Sequence, residues 1–437
     1  MLHHELDKLS TYPFHMPGHK RNEKFGIPGA AVDITEIEGF DNLHHPTGLI
    51  RELEERFAQH YGAAHSFLSV GGSTLGLLCA IFALCEEGDT VIVARNCHKS
   101  VFNACYLKRL NIVFLEPEFD CALGCYTAVK QARLEQLEKA YPQAKAVVIT
   151  SPTYEGFISE IHSTLPLIID AAHGAHFGMA HFPAYPTDAA IVISSLHKTL
   201  PALTQTALIN VYDKRLIERV RLMLDLLETS SPSYVLLYSV SVCCDYLQNH
   251  RADFARFYED IAALRHIELQ HLRLVQTDDI SKLVISTQGT ALSGTALAAA
   301  LREDFGIESE LAGSRHVLLM STVGDDAAVL ARLQKALLET DRTLSAAPEE
   351  PFAPPPAAPG TRQISYTAQG CPTAFWEAEG KISNEFVYAY PPDIPILLPG
   401  MPIRKSDLTY LHQLAAAGVT LVAQGENFPN TILTKAL

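Results

Sequence analysis

Between about residues 50 and 228, short and nearly continuous apolar runs alternate with amphipathic stretches. The runs at 90–94, 112–115, 146–150, 166–170, 189–194 and 207–211 lack in/out alternation, which predicts strands buried on both faces. The intervening stretches at 50–60, 74–86, 100–109 and 129–141 read as helices. Strand–helix alternation of this kind predicts an α/β fold with a mostly parallel sheet wrapped by helices. In such sheets ligands bind beyond the carboxyl ends of the strands, so polar residues just after strands are the ones to inspect.

The connection from Thr150 to Pro166 holds about fifteen residues, too few for a crossover helix, and is expected to be a loop or a single turn. A helix-rich run at 214–247 is interrupted by Ser230-Ser231-Pro232-Ser233. From about 251 the pattern changes to longer helices and fewer strands. Six prolines in the twelve positions 348–359 predict a stiff, extended linker, and a strand-like run follows at 419–423. The organisation read from this is an N-terminal segment (1–50), a large domain (51–250), a smaller domain (251–347), the linker (348–360) and a C-terminal domain (361–437).

Charge narrows the function. The 34 basic and 49 acidic residues leave a net charge of −15, which argues against a general binder of nucleic acid or of anionic membranes. No segment reaches the ~18 uninterrupted apolar residues of a membrane helix, and the N-terminus has neither the basic nor the apolar region of a signal peptide. Nine cysteines without a C-x-x-C pair in 437 residues suit reduced thiols in a cytoplasm. Cys121 and Cys125 lack a second pair, and His173 and His176 lack a completing ligand, so no metal site is expected.

Four motifs carry candidate chemistry. Ser194-Ser195-Leu196-His197-Lys198-Thr199 follows an apolar strand and puts a lysine at its carboxyl end, where it can bond an aldehyde. In isolation the segment reads more readily as a surface lysine starting a helix. Asp170 ends another buried run and opens Asp170-Ala171-Ala172-His173. An aspartate there either caps the next turn or pairs with a protonated ring nitrogen. A nucleotide-hydrolase acidic box needs an upstream G-x-x-x-x-G-K-[ST] loop, which the chain lacks. Gly71-Gly72-Ser73-Thr74 opens a helix and offers N–H groups and hydroxyls to a phosphate, though many helices begin this way. His98, within Arg95-Asn96-Cys97-His98-Lys99-Ser100, is placed to stack on a flat ring or simply to start a helix. Taken in order, a phosphate cup, a stacking ring, an acid and, 28 positions after Asp170, a reactive lysine are the parts needed to hold pyridoxal 5′-phosphate.

The chain resembles the Orn/Lys/Arg decarboxylase family of fold-type-I pyridoxal-phosphate enzymes. Besides those motifs, the likeness rests on Phe14-His15-Met16-Pro17-Gly18-His19-Lys20, Asp33-Ile34-Thr35-Glu36, Asp41-Asn42-Leu43-His44-His45-Pro46-Thr47-Gly48 and Leu203-Thr204-Gln205. Ser230-Ser231-Pro232-Ser233-Tyr234 and Tyr390-Pro391-Pro392-Asp393-Ile394-Pro395 extend it. The resemblance implies an aspartate-aminotransferase-like large domain with a smaller α+β C-terminal part. It gives Lys198 the cofactor aldehyde, Asp170 the ring nitrogen, and His98 and His173 the surroundings of the ring. Ser73, Thr74, Ser195 and His197 would bind phosphate, and Ser231 or Ser233 would reach a neighbour's phosphate in a homodimer with shared active sites. It also implies a cytoplasmic enzyme of polyamine biosynthesis that acts on lysine, ornithine or arginine and is short of the wing domain of larger members.

Three departures stand out. The usual D-E-A-H is Asp170-Ala171-Ala172-His173, the 151–166 link is short, and the usual P-G-E is Pro399-Gly400-Met401. Glu36, Asp41 and Glu155 are candidate carboxylates for a cationic substrate. Transamination or elimination on the same cofactor, or a non-catalytic homologue, stand as alternatives.

Overall fold

The computed structural model describes residues 1–349, 352–358 and 360–436. In chain order the first elements are α1 (Leu2–Leu6), α2 (Leu49–Tyr61), β1 (His65–Ser69), α3 (Gly72–Leu84), β2 (Thr90–Ala94), α4 (Lys99–Leu107) and β3 (Asn111–Leu115). A hairpin of β4 (Phe119–Asp120) and β5 (Cys125–Tyr126) precedes α5 (Gln131–Ala140), β6 (Ala146–Thr150) and β7 (Leu167–Asp170). Then come β8 (Ile191–Ser195), the one-turn α6 (Leu196–Thr199), β9 (Ala207–Val211), α7 (Ile217–Leu227), α8 (Tyr234–Asn249) and α9 (Arg251–Leu264). No helix among the described residues is long and apolar enough to cross a membrane.

The chain divides into two compact units, each built from separate stretches: 1–84 with 166–256, and 85–165 with 257–437. In the first unit the strand order is β1-β9-β8-β7. β9 runs antiparallel to both β1 and β8, and β7 runs parallel to β8. In the second unit β2 pairs in parallel with both β3 and β6. Three of these five pairings are parallel, as the apolar runs predicted. β2, β7, β8 and β9 are buried at every position, which explains their lack of alternation. The 151–166 link carries no helix.

Beyond 265, the sparse strand content expected from sequence gives way to more strands. The antiparallel sheet β10 (Arg273–Leu274), β11 (Lys282–Ser286), β12 (Leu311–Ala312) and β13 (His316–Met320) lies beside α10 (Gly294–Phe305) and α11 (Ala327–Asp341). The chain ends with β14 (Gly370–Ala374), β15 (Val387–Ala389), β16 (Ile394–Leu397), α12 (Lys405–Ala416), β17 (Leu421–Ala423) and β18 (Thr431–Lys435). These close on a core that includes Phe375, Val387, Leu397, Leu411 and Ile432. Of the predicted linker 348–360, residues 350, 351 and 359 lie outside the described residues.

Candidate active site

The first unit builds its polar centre by register. Ser69, at the end of β1, and Ser195, at the end of β8, both pair with Ala207 on the shared neighbour β9. The two strands run in the same direction, so their carboxyl ends are level. β1 continues through Gly71 into α3, and Gly72 turns at φ +72°, where an L side chain is strained. A Cβ on Gly76 would come within 3.0 Å of Ile193 and 3.2 Å of Ile209, so a glycine there lets the first turn of α3 lie close on the sheet. Glu228 steadies the turn, accepting hydrogen bonds from Ser69 Oγ (3.1 Å) and the Val70 N–H (3.2 Å).

The result is a hydroxyl pair. Ser73 Oγ and Ser195 Oγ are 2.6 Å apart, beside the start of a thirteen-residue helix whose first N–H groups have no intrahelical acceptor. Thr74 is exposed on the same turn. On β7, Asp170 pairs in register with Ile193 of β8, is buried, and accepts the Ala172 N–H at 3.2 Å. Lys198 Nζ, half-buried on α6, lies 3.0 Å from Nε2 of the buried His173. His197 Nδ1 lies 3.1 Å from the Thr206 carbonyl. Burial lowers the His197 pKa and the Lys198 charge adds to this, while the Thr206 bond opposes both.

Five of the predicted residues, Ser73, Asp170, His173, Ser195 and Lys198, thus stand at strand ends or helix starts of one unit. Two hydroxyls and helix N–H groups suit a phosphate, a buried carboxylate suits a ring N–H, and an amine beside an imidazole suits an aldehyde. The residues fit pyridoxal 5′-phosphate. Ser233 caps α8, its Oγ accepting the Leu236 N–H at 3.4 Å, and Ser231 is exposed.

His98 lies in the second unit, at the N-cap of α4. Its Nδ1 is 2.8 Å from Ser100 Oγ, and its Nε2 is 3.4 Å from Asp393 Oδ2. Sequence reading singled out His98 but missed this Asp393 contact. The only local signal was an acidic residue in a Pro-Pro turn.

The three candidate substrate carboxylates differ. Asp41 is taken up by backbone, accepting N–H groups of Thr47 (2.8 Å), Gly48 (2.7 Å), Ile50 (3.1 Å) and Arg51 (3.2 Å) at the start of α2. Burial alone would raise its pKa, but these bonds outweigh that and hold it below the usual carboxylate range. Glu155 is buried in the second unit with Oε1 3.8 Å from His316 Nε2, and burial pushes its pKa up to about 7. Glu36 Oε1 is buried with no hydrogen-bond partner among the described residues. Met401, where the family pattern expects a carboxylate, is buried.

A family profile described as "Orn/Lys/Arg decarboxylase, major domain" matches residues 4–275. The chain belongs to this decarboxylase family. Among the family's curated members, the uncharacterized protein YaaO of Bacillus subtilis is 33% identical over 93% of this chain and 92% of its own. The arginine decarboxylase of Bacillus subtilis is 29% identical over 93% and 91%. The E. coli constitutive lysine decarboxylase structure superposes with TM-score 0.77 at 18% identity, covering 99% of this chain and 81% of that one. SPT solved with PLP gives TM-score 0.53 at 14% identity over 67% of this chain and 76% of that one. The last two likenesses speak for the fold, and the fold is that of fold-type-I PLP enzymes.

Proposed function

We propose that this protein removes the α-carboxyl group of a basic amino acid as CO₂, with arginine the first substrate to test. The observation that carries the reading is the 3.0 Å approach of Lys198 Nζ to His173 Nε2, with Asp170 buried at the end of the adjoining strand β7. Relatives named arginine decarboxylase match more than nine-tenths of the chain at 29–30% identity, whereas those named lysine decarboxylase reach 23–26%. When bound, pyridoxal 5′-phosphate supplies a covalent anchor for the substrate amine and a ring that accepts the electron pair left at Cα.

The chain's own residues do the rest. Ser73, Ser195 and the N–H groups of α3 bind the phosphate, with Thr74 and His197 alongside. Asp170 keeps a proton on the ring nitrogen. Lys198 would bond the cofactor's aldehyde. Its amine, 3.0 Å from His173 Nε2, is the group that would supply a proton to Cα. His98 is the residue the family resemblance assigns to the ring, and it would stack there. The reading includes a cytoplasmic homodimer in which Ser231 or Ser233 reaches the neighbour's phosphate.

The test is CO₂ release from arginine, lysine, ornithine and neutral amino acids with cofactor supplied. Release from one basic amino acid is expected. Cofactor binding without CO₂ from any of them would overturn the reading. The buried Met401 favours one second reading, transamination or elimination, which a keto-acid product would reveal.

A further inference from the structure

Asp393 is a non-glycine residue held at φ +63°, where few L residues sit. Its backbone is fixed at both ends: its N–H donates to the Ala389 carbonyl at 3.0 Å, and its carbonyl accepts the Lys99 N–H at 3.0 Å. The carboxylate spans two consecutive side chains, with Oδ2 3.4 Å from His98 Nε2 and Oδ1 accepting from Lys99 Nζ at 3.2 Å. Lys99 is itself pinned, 4.6 Å above the Tyr388 ring and 3.2 Å from its hydroxyl. Arg95 ties the same stretch from the other side by donating to the Pro395 and Ile396 carbonyls. The 388–396 stretch is therefore clamped onto the turn between β2 and α4.

The clamp decides where the His98 proton sits. The Ser100 N–H donates to His98 Nδ1 at 3.2 Å, and a ring nitrogen that accepts a hydrogen bond carries no proton. The proton is then on Nε2, facing Asp393. Burial opposes ionisation of Asp393, but the His98 hydrogen bond and the Lys99 charge outweigh it and hold the carboxyl below its usual range. At neutral pH the acceptor is thus a carboxylate.

We propose that Asp393 is a positioning residue: together with Ser100 it selects the Nε2–H form of His98 and fixes the plane of the imidazole that meets the cofactor ring. The proposal rests on the assignment of His98 to that ring. A carboxylate acceptor on an imidazole N–H orients the ring and fixes its tautomer, as outer partners do for ligand histidines elsewhere.

Two substitutions at Asp393 separate positioning from folding. Asp393→Gly suits φ +63° and removes the acceptor, whereas Asp393→Asn keeps a neutral acceptor and tolerates the same backbone. Asp393→Gly is expected to keep the wild-type Tm and a KM within about twofold. Its kcat should fall about tenfold, the scale of one lost charge-assisted hydrogen bond, and the circular dichroism band of the bound cofactor should change. Asp393→Asn should restore most of both. A wild-type kcat and dichroism band in Asp393→Gly would overturn the proposal, and so would equal losses in the two variants. His98→Ala provides the control. If it changes the band and cofactor affinity while Asp393→Gly changes neither, the positioning role alone fails. If His98→Ala also leaves both unchanged, the placing of His98 at the ring fails with it.

Discussion

The strand ends of the first unit and the loop around Asp41 both concentrate buried polar groups, but they use them in opposite ways. At the strand ends side chain meets side chain: Ser73 with Ser195, and Lys198 with His173. Such pairs can be exchanged for bonds to a ligand without unravelling the backbone. Around Asp41 the carboxylate meets backbone N–H groups at the start of α2, and nothing is left over for a substrate without opening the helix. Position relative to a strand end therefore separates exchangeable side-chain pairs from a carboxylate spent on backbone, which charge alone does not.

Changes at the two places should accordingly separate function from stability. The largest effect is expected at the strand ends: Lys198→Ala should cut CO₂ release by 10²–10⁴-fold or more, with little change in Tm. Near-wild-type rates would break the comparison outright. Glu155 gives the next largest effect and sharpens it from the second unit. Its folded pKa of about 7 lies above its ordinary 4.5, so its protonated form is the one the fold favours. That contribution is fully present below pH 4.5 and lost as pH rises through 7, amounting to ~3 kcal/mol at most. Glu155→Gln should flatten the urea-unfolding midpoint across this window; an unchanged slope would mean the carboxyl is hydrated.

Asp41 has the opposite sign. Its depressed pKa contributes stability above the ordinary 3.8 that disappears as pH falls below it. Asp41→Ala should lower stability by about 2 kcal/mol at pH 7 while leaving KM unchanged. A raised KM with an intact Tm would return Asp41 to the substrate site. The smallest effect concerns Glu36, whose buried Oε1 has no hydrogen-bond partner among the described residues. If it awaits a substrate cation, Glu36→Gln should raise KM about tenfold without loss of Tm. An unaltered KM removes it from the site.

The α/β core was legible because its strands are short apolar runs: 90–94, 146–150 and 207–211 match β2, β6 and β9 residue for residue. β1 escaped because His65-Ser66-Phe67-Leu68-Ser69 mixes polar and apolar residues, its serines being buried polar groups such as Ser66, whose hydroxyl bonds Asn210. β11 escaped because Lys282 begins it, a fully buried lysine that pairs with Asp279 at 3.0 Å. Around the site, Ser73, Asp170 and Lys198 were legible from strand-end position. The Asp393–His98 contact was not, since it joins residues almost 300 positions apart and depends on backbone that local sequence leaves open.

The register through Ala207 has a kinetic consequence. Because β1 and β8 are levelled by one common neighbour, the Ser73–Ser195 hydroxyl pair is assembled once three strands have paired. On the proposed reading, in which this pair binds the cofactor's phosphate, strand pairing alone sets the cup, and little chain ordering is left to accompany cofactor uptake. Loading of the apoenzyme should behave as encounter with a finished surface, its rate linear in cofactor concentration rather than limited by a slow conformational step.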